Sequence, residues 1–88
     1  MQITYRKKFL KELVGIPPKH RQKIERFVFE HFPKSRTIFS SHKIERLKGY
    51  PGYYKIRFGD YRVGLKILGD NVVFERVLHR KDIYRFYP

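Results

Sequence analysis

The chain has no cysteine and few acidic residues. Without cysteine, disulfide bridges and thiolate zinc sites are excluded, and the composition suits a reducing compartment. The first residues lack the apolar segment of a signal peptide, and no apolar run approaches the roughly 18 residues that a membrane span needs. We therefore expect a cytoplasmic protein with no membrane partner.

The positive charge is the strongest feature of the composition. Lysine and arginine number 21 against 8 acidic residues, a formal net charge of +13 on 88 residues, and aromatic residues make up 17%. Such a charge destabilises a small fold by self-repulsion, which an anionic partner offsets. Nucleic acid, an acidic protein or an anionic membrane surface could be that partner. The alternative is that the cations have no partner and are simply solvated. The abundant aromatic rings favour RNA, because rings stack on unpaired bases.

The apolar pattern predicts one domain, residues 1–88, that begins with a strand and a helical hairpin. Alternation over Met1–Tyr5 is typical of an edge strand. Arg6–Val14 and Lys19–Phe32 have apolar residues at helical spacing, with Gly15 as a cap of the first helix. Pro33 is predicted to end the second helix.

The second half predicts an antiparallel meander followed by a short helix. Alternating strands are expected at Tyr53–Phe58 and Tyr61–Leu68, joined by a tight turn at Gly59-Asp60. A third strand is expected at Val72–Leu78 and a helix at Lys81–Phe86. The fold class is therefore α+β, with an N-terminal strand, a helical hairpin, an antiparallel sheet and a short C-terminal helix.

Two parts of the pattern remain open. Between the hairpin and the meander, Thr37–Phe39 is a candidate extended piece and His42–Leu47 a candidate strand or helical turn. The facing of the last strand is ambiguous, because placing His79 on the basic face puts Arg76 on the apolar side. A β-bulge near the end of this strand would resolve the conflict.

One face of the predicted meander is cationic. Alternation places Lys55 and Arg57 beside Arg62 and Lys66 of the next strand. Like charges on neighbouring strands repel each other, so a purely structural role would favour other residues. We expect this face to hold one or two phosphates, with a solvated sheet face as the alternative.

The shortage of carboxylates bears on the chemistry. Glu75 and Asp82 are the acidic residues expected near the basic face, and a metal-dependent nuclease needs several carboxylates on Mg²⁺. No glycine-rich phosphate loop is present either. We expect no metal and no cofactor. His79 and Tyr84 are candidates for proton transfer or phosphate contact; their alternatives are a strand-end hydrogen bond and core packing.

Metal-free RNA cleavage fits these residues. In this reaction the ribose 2′-OH attacks its own phosphate and leaves a 2′,3′-cyclic phosphate. Crowding by neighbouring cations should lower the pKa of Lys55 and make it a usable base. The same cations would stabilise the charge of the transition state.

Two segments, LKGYPGYYKIRFGDYRVGLKI and VLHRKDIYR, resemble the RelE/ParE superfamily of toxin–antitoxin toxins. The similarity runs over nearly the whole chain and implies the compact α+β fold of that family. In the RelE branch it implies an endoribonuclease that cuts mRNA in the ribosomal A site.

The resemblance also implies roles for individual residues. Those that match the catalytic positions of the family are Lys55, Arg57, Arg62, Arg80 and Tyr84. His79 is shared with only part of the family, and Arg57 stands where some members have lysine, which favours Lys55 as the base. Further cations near the face are expected to bind RNA: Lys43, Arg46, Lys48, Lys66 and Lys81.

The implied partners are a cognate antitoxin, whose acidic segment wraps the toxin, and mRNA on the ribosome. Toxin and antitoxin together are implied to bind operator DNA. Two alternatives remain. A ParE-type toxin would inhibit DNA gyrase without cleaving RNA, and an inactive relative would bind RNA without chemistry.

Overall fold

The computed structural model describes residues 2–35 and 44–88. A first strand, β1 (Gln2–Tyr5), leads into helix α1 (Lys7–Val14), and helix α2 (Pro18–Glu25) follows after a short turn. The helical spacing of the apolar residues buries Phe9 and Ile24 completely. The predicted edge strand and helical hairpin are confirmed.

The second helix does not end where the sequence predicts. It continues as a π-helical segment, Arg26–His31, and then as one more turn, α3 (Phe32–Ser35). The N–H of Phe32 bonds to the carbonyl of Phe27, five residues back. Because the hydrogen-bond register changes here, the residues after His31 form the first turn of a new helix. A proline is tolerated in a first turn, since its missing N–H would have no partner there. The prediction that Pro33 ends the helix is therefore wrong.

The strands of the described residues form one five-stranded sheet in the order β1-β5-β4-β3-β2. β1 pairs parallel with β5, and the other neighbours are antiparallel. The later strands are β2 (Ile44–Arg46), β3 (Tyr53–Phe58), β4 (Tyr61–Leu68) and β5 (Asn71–His79). The predicted meander is confirmed, and His42–Leu47 contains a strand. The candidate piece at Thr37–Phe39 lies outside the described residues.

A β-bulge sets the facing of β5. Gly64 pairs with Arg76 whereas Leu65 pairs with Phe74, so Glu75 is the extra residue. Phe74 and Val77 consequently both reach the core, at 0% and 1% exposure. Beyond the bulge, Arg76 shares the face of Gly64, and His79 pairs with Tyr61 on the opposite face. The bulge thus resolves the ambiguity by placing Arg76, and not His79, on the basic face.

Helices cover both faces of the sheet. On the face of α1 and α2, the ring of Phe74 lies 5.8 Å from that of Phe9 and 5.6 Å from that of Phe32. On the other face lies the C-terminal helix α4 (Arg80–Phe86), which buries Ile83. The α+β fold class is confirmed. None of the helices in the described ranges has the length and hydropathy to cross a bilayer.

The residue after α4 anchors the helix to the sheet. The hydroxyl of Tyr87 donates a hydrogen bond of 2.8 Å to the carbonyl of Leu65. Burial raises the pKa of Tyr87 well above its usual range, and the charge of Glu75 adds to this effect. The Tyr87 ring lies directly over Gly64, where a Cβ atom would come within 2.7 Å of ring carbon Cζ. Gly64 therefore provides the space in which the end of α4 docks.

The close approach at Gly64 yields a stability prediction. Gly64→Ala should lower the free energy of unfolding by about 1–3 kcal/mol, because the added methyl group must displace the Tyr87 ring. Urea unfolding would measure this. The matched control is Gly15→Ala, whose Cβ would meet its nearest neighbour at an ordinary 3.5 Å. Equal unfolding free energies of the two variants would contradict the docking role of Gly64.

Candidate functional site

A groove with Lys55 at its base lies between β2, the β2–β3 connection and α4. Its volume is about 460 Å³. It is called here the Lys55 groove, and it is lined by basic, aromatic and apolar side chains together with one carboxylate: Glu45, Arg46, Leu47, Lys48, Tyr50, Lys55, Ile83, Tyr84, Tyr87 and Pro88. A mixture of cations and exposed rings is suited to a ligand that is both anionic and aromatic.

Among the described residues, Lys55 is the one charged residue that is buried, with 7% exposure. Its position on β3 places it opposite Gly64 of β4 and opposite Glu45 of β2. The Nζ atom lies 3.7 Å from Glu45 Oε2 and 3.8 Å from the centre of the Tyr84 ring. A carboxylate and the negative face of a ring therefore offset the cost of burying the ammonium group.

These neighbours differ from those predicted. We expected Lys55 to be crowded by cations, but Lys66 lies opposite Tyr53, and its Nζ is 4.8 Å from the centre of the Tyr53 ring. We also expected only Glu75 and Asp82 as acidic neighbours of the face, and that expectation is wrong. Glu45 reaches Lys55 from β2. It does so because the antiparallel pairing of β2 with β3 brings it alongside.

Arg57 and Arg62 are direct neighbours across β3 and β4, as the alternation predicts. Arg57 is exposed. Arg62 is half-buried, and its Nη1 donates to the carbonyls of Gly59 at 2.7 Å and Tyr61 at 3.0 Å. These bonds hold the Arg62 guanidinium against the β3–β4 turn, whereas the Arg57 side chain is exposed. The pair concentrates two positive charges on one strand pair, where an anion would relieve their repulsion.

Arg80 and His79 stand where β5 becomes α4. The backbone N–H of Arg80 donates to the carbonyl of Asp60 at 2.7 Å, and its Nε lies 3.7 Å from the Asp60 carboxylate. The Nδ1 atom of His79 accepts a hydrogen bond from the Lys81 N–H, which caps α4. The His79 ring packs edge-on against Tyr61, 5.5 Å away. His79 thus lies on the face opposite Lys55 and makes the strand-end hydrogen bond considered as its alternative.

Tyr84 is 74% exposed, so the alternative of core packing does not apply to it. Its ring covers Lys55 and forms one wall of the groove. Of the cations expected to bind RNA, Arg46 and Lys48 line this groove. Lys66 and Lys81 lie outside it, and Lys43 falls outside the described residues.

Sequence reasoning missed three of the polar and aromatic residues of the groove. Glu45 pairs with the base of the groove, and Tyr50 and Tyr87 form part of its wall. A signal for Glu45 was present: if Lys48–Gly52 is read as a hairpin loop, counting outward places Glu45 opposite Lys55. No comparable local signal marks Tyr87, since its burial depends on how α4 docks.

The donor set of the site is cationic and aromatic. Within residues 2–35 and 44–88, no group of three or more histidine, aspartate or glutamate side chains is placed to hold a metal ion. The arrangement can bind a phosphate through lysine and arginine, stack a base on an exposed ring, and move protons through Lys55 and Tyr84.

The chain matches a known protein family. The family model of the ParE toxin of the parDE type II toxin–antitoxin system matches residues 3–84. Toxin RelE3 of Methanocaldococcus jannaschii is 38% identical over 89 aligned positions, covering 100% of both chains.

Solved structures are similar as well. A RelB–RelE antitoxin–toxin complex from Methanococcus jannaschii contains a chain that is 38% identical, with a TM-score of 0.84 over 97% of this chain and 99% of that one. The RelBE2 complex of Mycobacterium tuberculosis, at 23% identity, shares the fold, with a TM-score of 0.65 over 90% of this chain and 96% of that one. The chain belongs to the RelE/ParE superfamily of type II toxin–antitoxin toxins and lies close to its RelE members.

Proposed function

We propose that this chain acts as a single toxin domain and is a metal-independent endoribonuclease that cleaves mRNA in the ribosomal A site. The observation that carries the proposal is the Lys55 groove. A buried ammonium group lies beneath an exposed tyrosine ring, on a strand face that also presents Arg57 and Arg62. This combination suits an RNA phosphate whose neighbouring base stacks on the ring.

In the proposed reaction, the ammonium group of Lys55 first loses a proton to solvent, and the neutral amine then takes the proton of the ribose 2′-OH. The 2′ oxygen then forms a bond to phosphorus, and the bond from phosphorus to the 5′ oxygen breaks. We assign the proton that the 5′ oxygen receives to the hydroxyl of Tyr84, because this exposed tyrosine contacts Lys55. The products are a 2′,3′-cyclic phosphate and a 5′-OH, and solvent returns the proton from Lys55 to Tyr84.

The arginines stabilise the charge that develops on the phosphate. Arg57 is exposed on the same strand as Lys55, and Arg62 is held beside it by the turn carbonyls. Arg80 has a side chain that is 56% exposed, and its ion pair with Asp60 is 3.7 Å long. Exposed ion pairs are weak, so the Arg80 guanidinium is free to exchange Asp60 for a phosphate.

The proposed partners follow from the relatives, which were solved as toxin–antitoxin complexes. We propose that an antitoxin with acidic and apolar segments covers this chain. Its charge of +13 and the exposed apolar side chains of Leu10, Val14 and Phe86 suit such a partner. We further propose that the complex binds operator DNA and that the free toxin acts in the cytoplasm, where ribosomes translate.

A second candidate is inhibition of DNA gyrase. The observation in its favour is the match to the ParE family model over residues 3–84. A toxin of this kind would leave mRNA intact and cause double-strand breaks in DNA. An inactive RNA-binding relative would damage neither.

The test is expression of the protein in a translating extract, with mRNA ends mapped by primer extension. We expect cuts within codons that require ribosomes and leave cyclic phosphate ends. Arg80→Ala should abolish them, and because the Arg80 side chain is exposed we expect the variant to fold as the unchanged protein does. Lys11→Ala, an exposed cation on α1, is the matched control. Broken DNA with intact mRNA would point to gyrase, and intact mRNA and DNA alike would overturn both toxin mechanisms.

A further inference from the structure

A second cationic cavity lies away from the Lys55 groove. It opens between the second helix of the hairpin and the β3–β4 turn, and its volume is about 420 Å³. It is called here the α2 cleft. Its basic lining residues are Lys23 of α2, Arg26 and His31 of the π segment, and Arg57 of β3. None of the described residues that line it is a carboxylate.

Three cations of the α2 cleft have no carboxylate partner among the described residues. Lys23, Arg26 and Arg57 are exposed, and none of the ion pairs among residues 2–35 and 44–88 involves them. In the Lys55 groove, by contrast, Glu45 lies beside the lysine. Cations that converge without a carboxylate repel one another, and an anion bound between them removes that repulsion.

The floor of the cleft indicates which kind of anion it takes. The rings of Phe27 and Phe58 meet there with their centres 5.5 Å apart, and they are only 5% and 7% exposed. The two rings themselves expose little surface, whereas protein interfaces depend on apolar anchors at their centre. Forked guanidiniums and a lysine around a closed floor instead match the oxygens of a phosphate.

Arg57 connects the α2 cleft to the Lys55 groove. It follows Lys55 by two positions on β3, so their Cα atoms are about 6–7 Å apart. This is close to the separation of neighbouring phosphates along an extended RNA strand. The groove borders α4 and the cleft borders α2, on opposite faces of the sheet, so an RNA whose reacting phosphate lies at Lys55 would pass around the β3–β4 turn at Arg57 to bring its next phosphates to Arg26 and Lys23.

We propose that the α2 cleft binds backbone phosphates of the RNA that flank the cleavage site. The inference rests on the proposed function and names where its substrate is held. Lys23 and Arg26 are positioning residues here, because they hold the RNA without touching the reacting atoms. Removing them weakens RNA binding and leaves the chemical step unchanged.

The test uses the full chain with the double substitution Lys23→Ala and Arg26→Ala. The probe is a fluorescently labelled 2′-O-methyl oligoribonucleotide, which cannot be cleaved because its 2′ oxygens are blocked. We expect the Kd to rise by roughly 10-fold and the slope of log K against log salt to fall by roughly 1–2. In cleavage assays KM should rise while kcat stays within about 2-fold of the unchanged protein.

The matched control is Lys7→Ala with Lys11→Ala, which removes the same charge from exposed positions of α1. An equal loss of affinity in this control would overturn the proposal, since net charge alone would then explain binding. Unchanged RNA affinity with weakened antitoxin binding would also overturn it and mark the cleft as an antitoxin contact. Loss of RNA binding in a protein that cleaves nothing would support the cleft while removing the proposed chemistry.

Discussion

Replacing Lys55 by methionine is expected to slow mRNA cleavage by roughly 10²–10⁴-fold, because the group that takes the 2′-OH proton is lost. Methionine fills the space of the buried lysine stem without the ammonium group. The fold should survive, since Glu45, with a side chain 57% exposed, remains solvated when its partner is removed. The measurement is a single-turnover rate on ribosome-bound mRNA, with RNA affinity measured separately.

Two further variants identify what Lys55 does. Lys55→Arg keeps the positive charge but stays protonated at every accessible pH, so it should lose nearly as much rate as methionine if the lysine is the base. Glu45→Gln removes the paired charge and reports whether the carboxylate takes part. If Lys55→Met binds RNA more weakly but keeps its single-turnover rate, Lys55 has no part in the chemistry. A fully active Lys55→Arg would leave it an electrostatic role only.

Glu12→Ala is expected to destabilise the protein by about 3–4 kcal/mol, a large share of the total for a domain of this size. Glu12 of α1 accepts a hydrogen bond of 2.6 Å from Arg76 Nη2 and one of 3.2 Å from the Val77 N–H, next to the bulge. The side chains of Arg76 and Glu12 are only 16% and 19% exposed. Removing the carboxylate leaves a poorly solvated guanidinium without a counter-charge and the N–H of Val77 without this acceptor.

The same contact fastens α4, because Arg76 Nη1 also donates to the carbonyl of Phe86 at 3.1 Å. Urea unfolding gives the free energy, and the melting temperature should fall by roughly 10–25 °C. Glu30→Ala is the control: this exposed glutamate of the π segment should change stability by no more than about 0.5 kcal/mol. Comparable losses in the two variants would show that the Glu12–Arg76 pair contributes little to the fold.

The secondary structure could largely be predicted because its signals are local. Alternation along β3 and β4 depends only on neighbouring residues, and it correctly placed Arg57 and Arg62 side by side. The end of the second helix was missed for a related reason. Pro33 normally stops a helix, but the π segment before it changes the hydrogen-bond register, and no local pattern announces that change.

The candidate site could be predicted only in part. Its cations and its tyrosine were identified from the sequence, yet the partners of Lys55 were not. Glu45 reaches Lys55 through the pairing of β2 with β3, and Tyr84 covers it because α4 docks on the sheet. His79 was expected at the basic face, and the bulge at Glu75 turns it to the other side. Each of these outcomes depends on the register of neighbouring strands or on how a helix packs on the sheet.

The sequence by itself determined the α+β class, the strands that carry the basic residues and the membership of a toxin superfamily. Composition, periodicity and short motifs suffice for these, because they are properties of neighbouring residues. Only the tertiary structure decided that Lys55 is buried, that Gly64 makes room for Tyr87, and that a second cationic cleft lies beside Arg57. Burial and the convergence of charges arise when distant segments pack together, which no local pattern encodes.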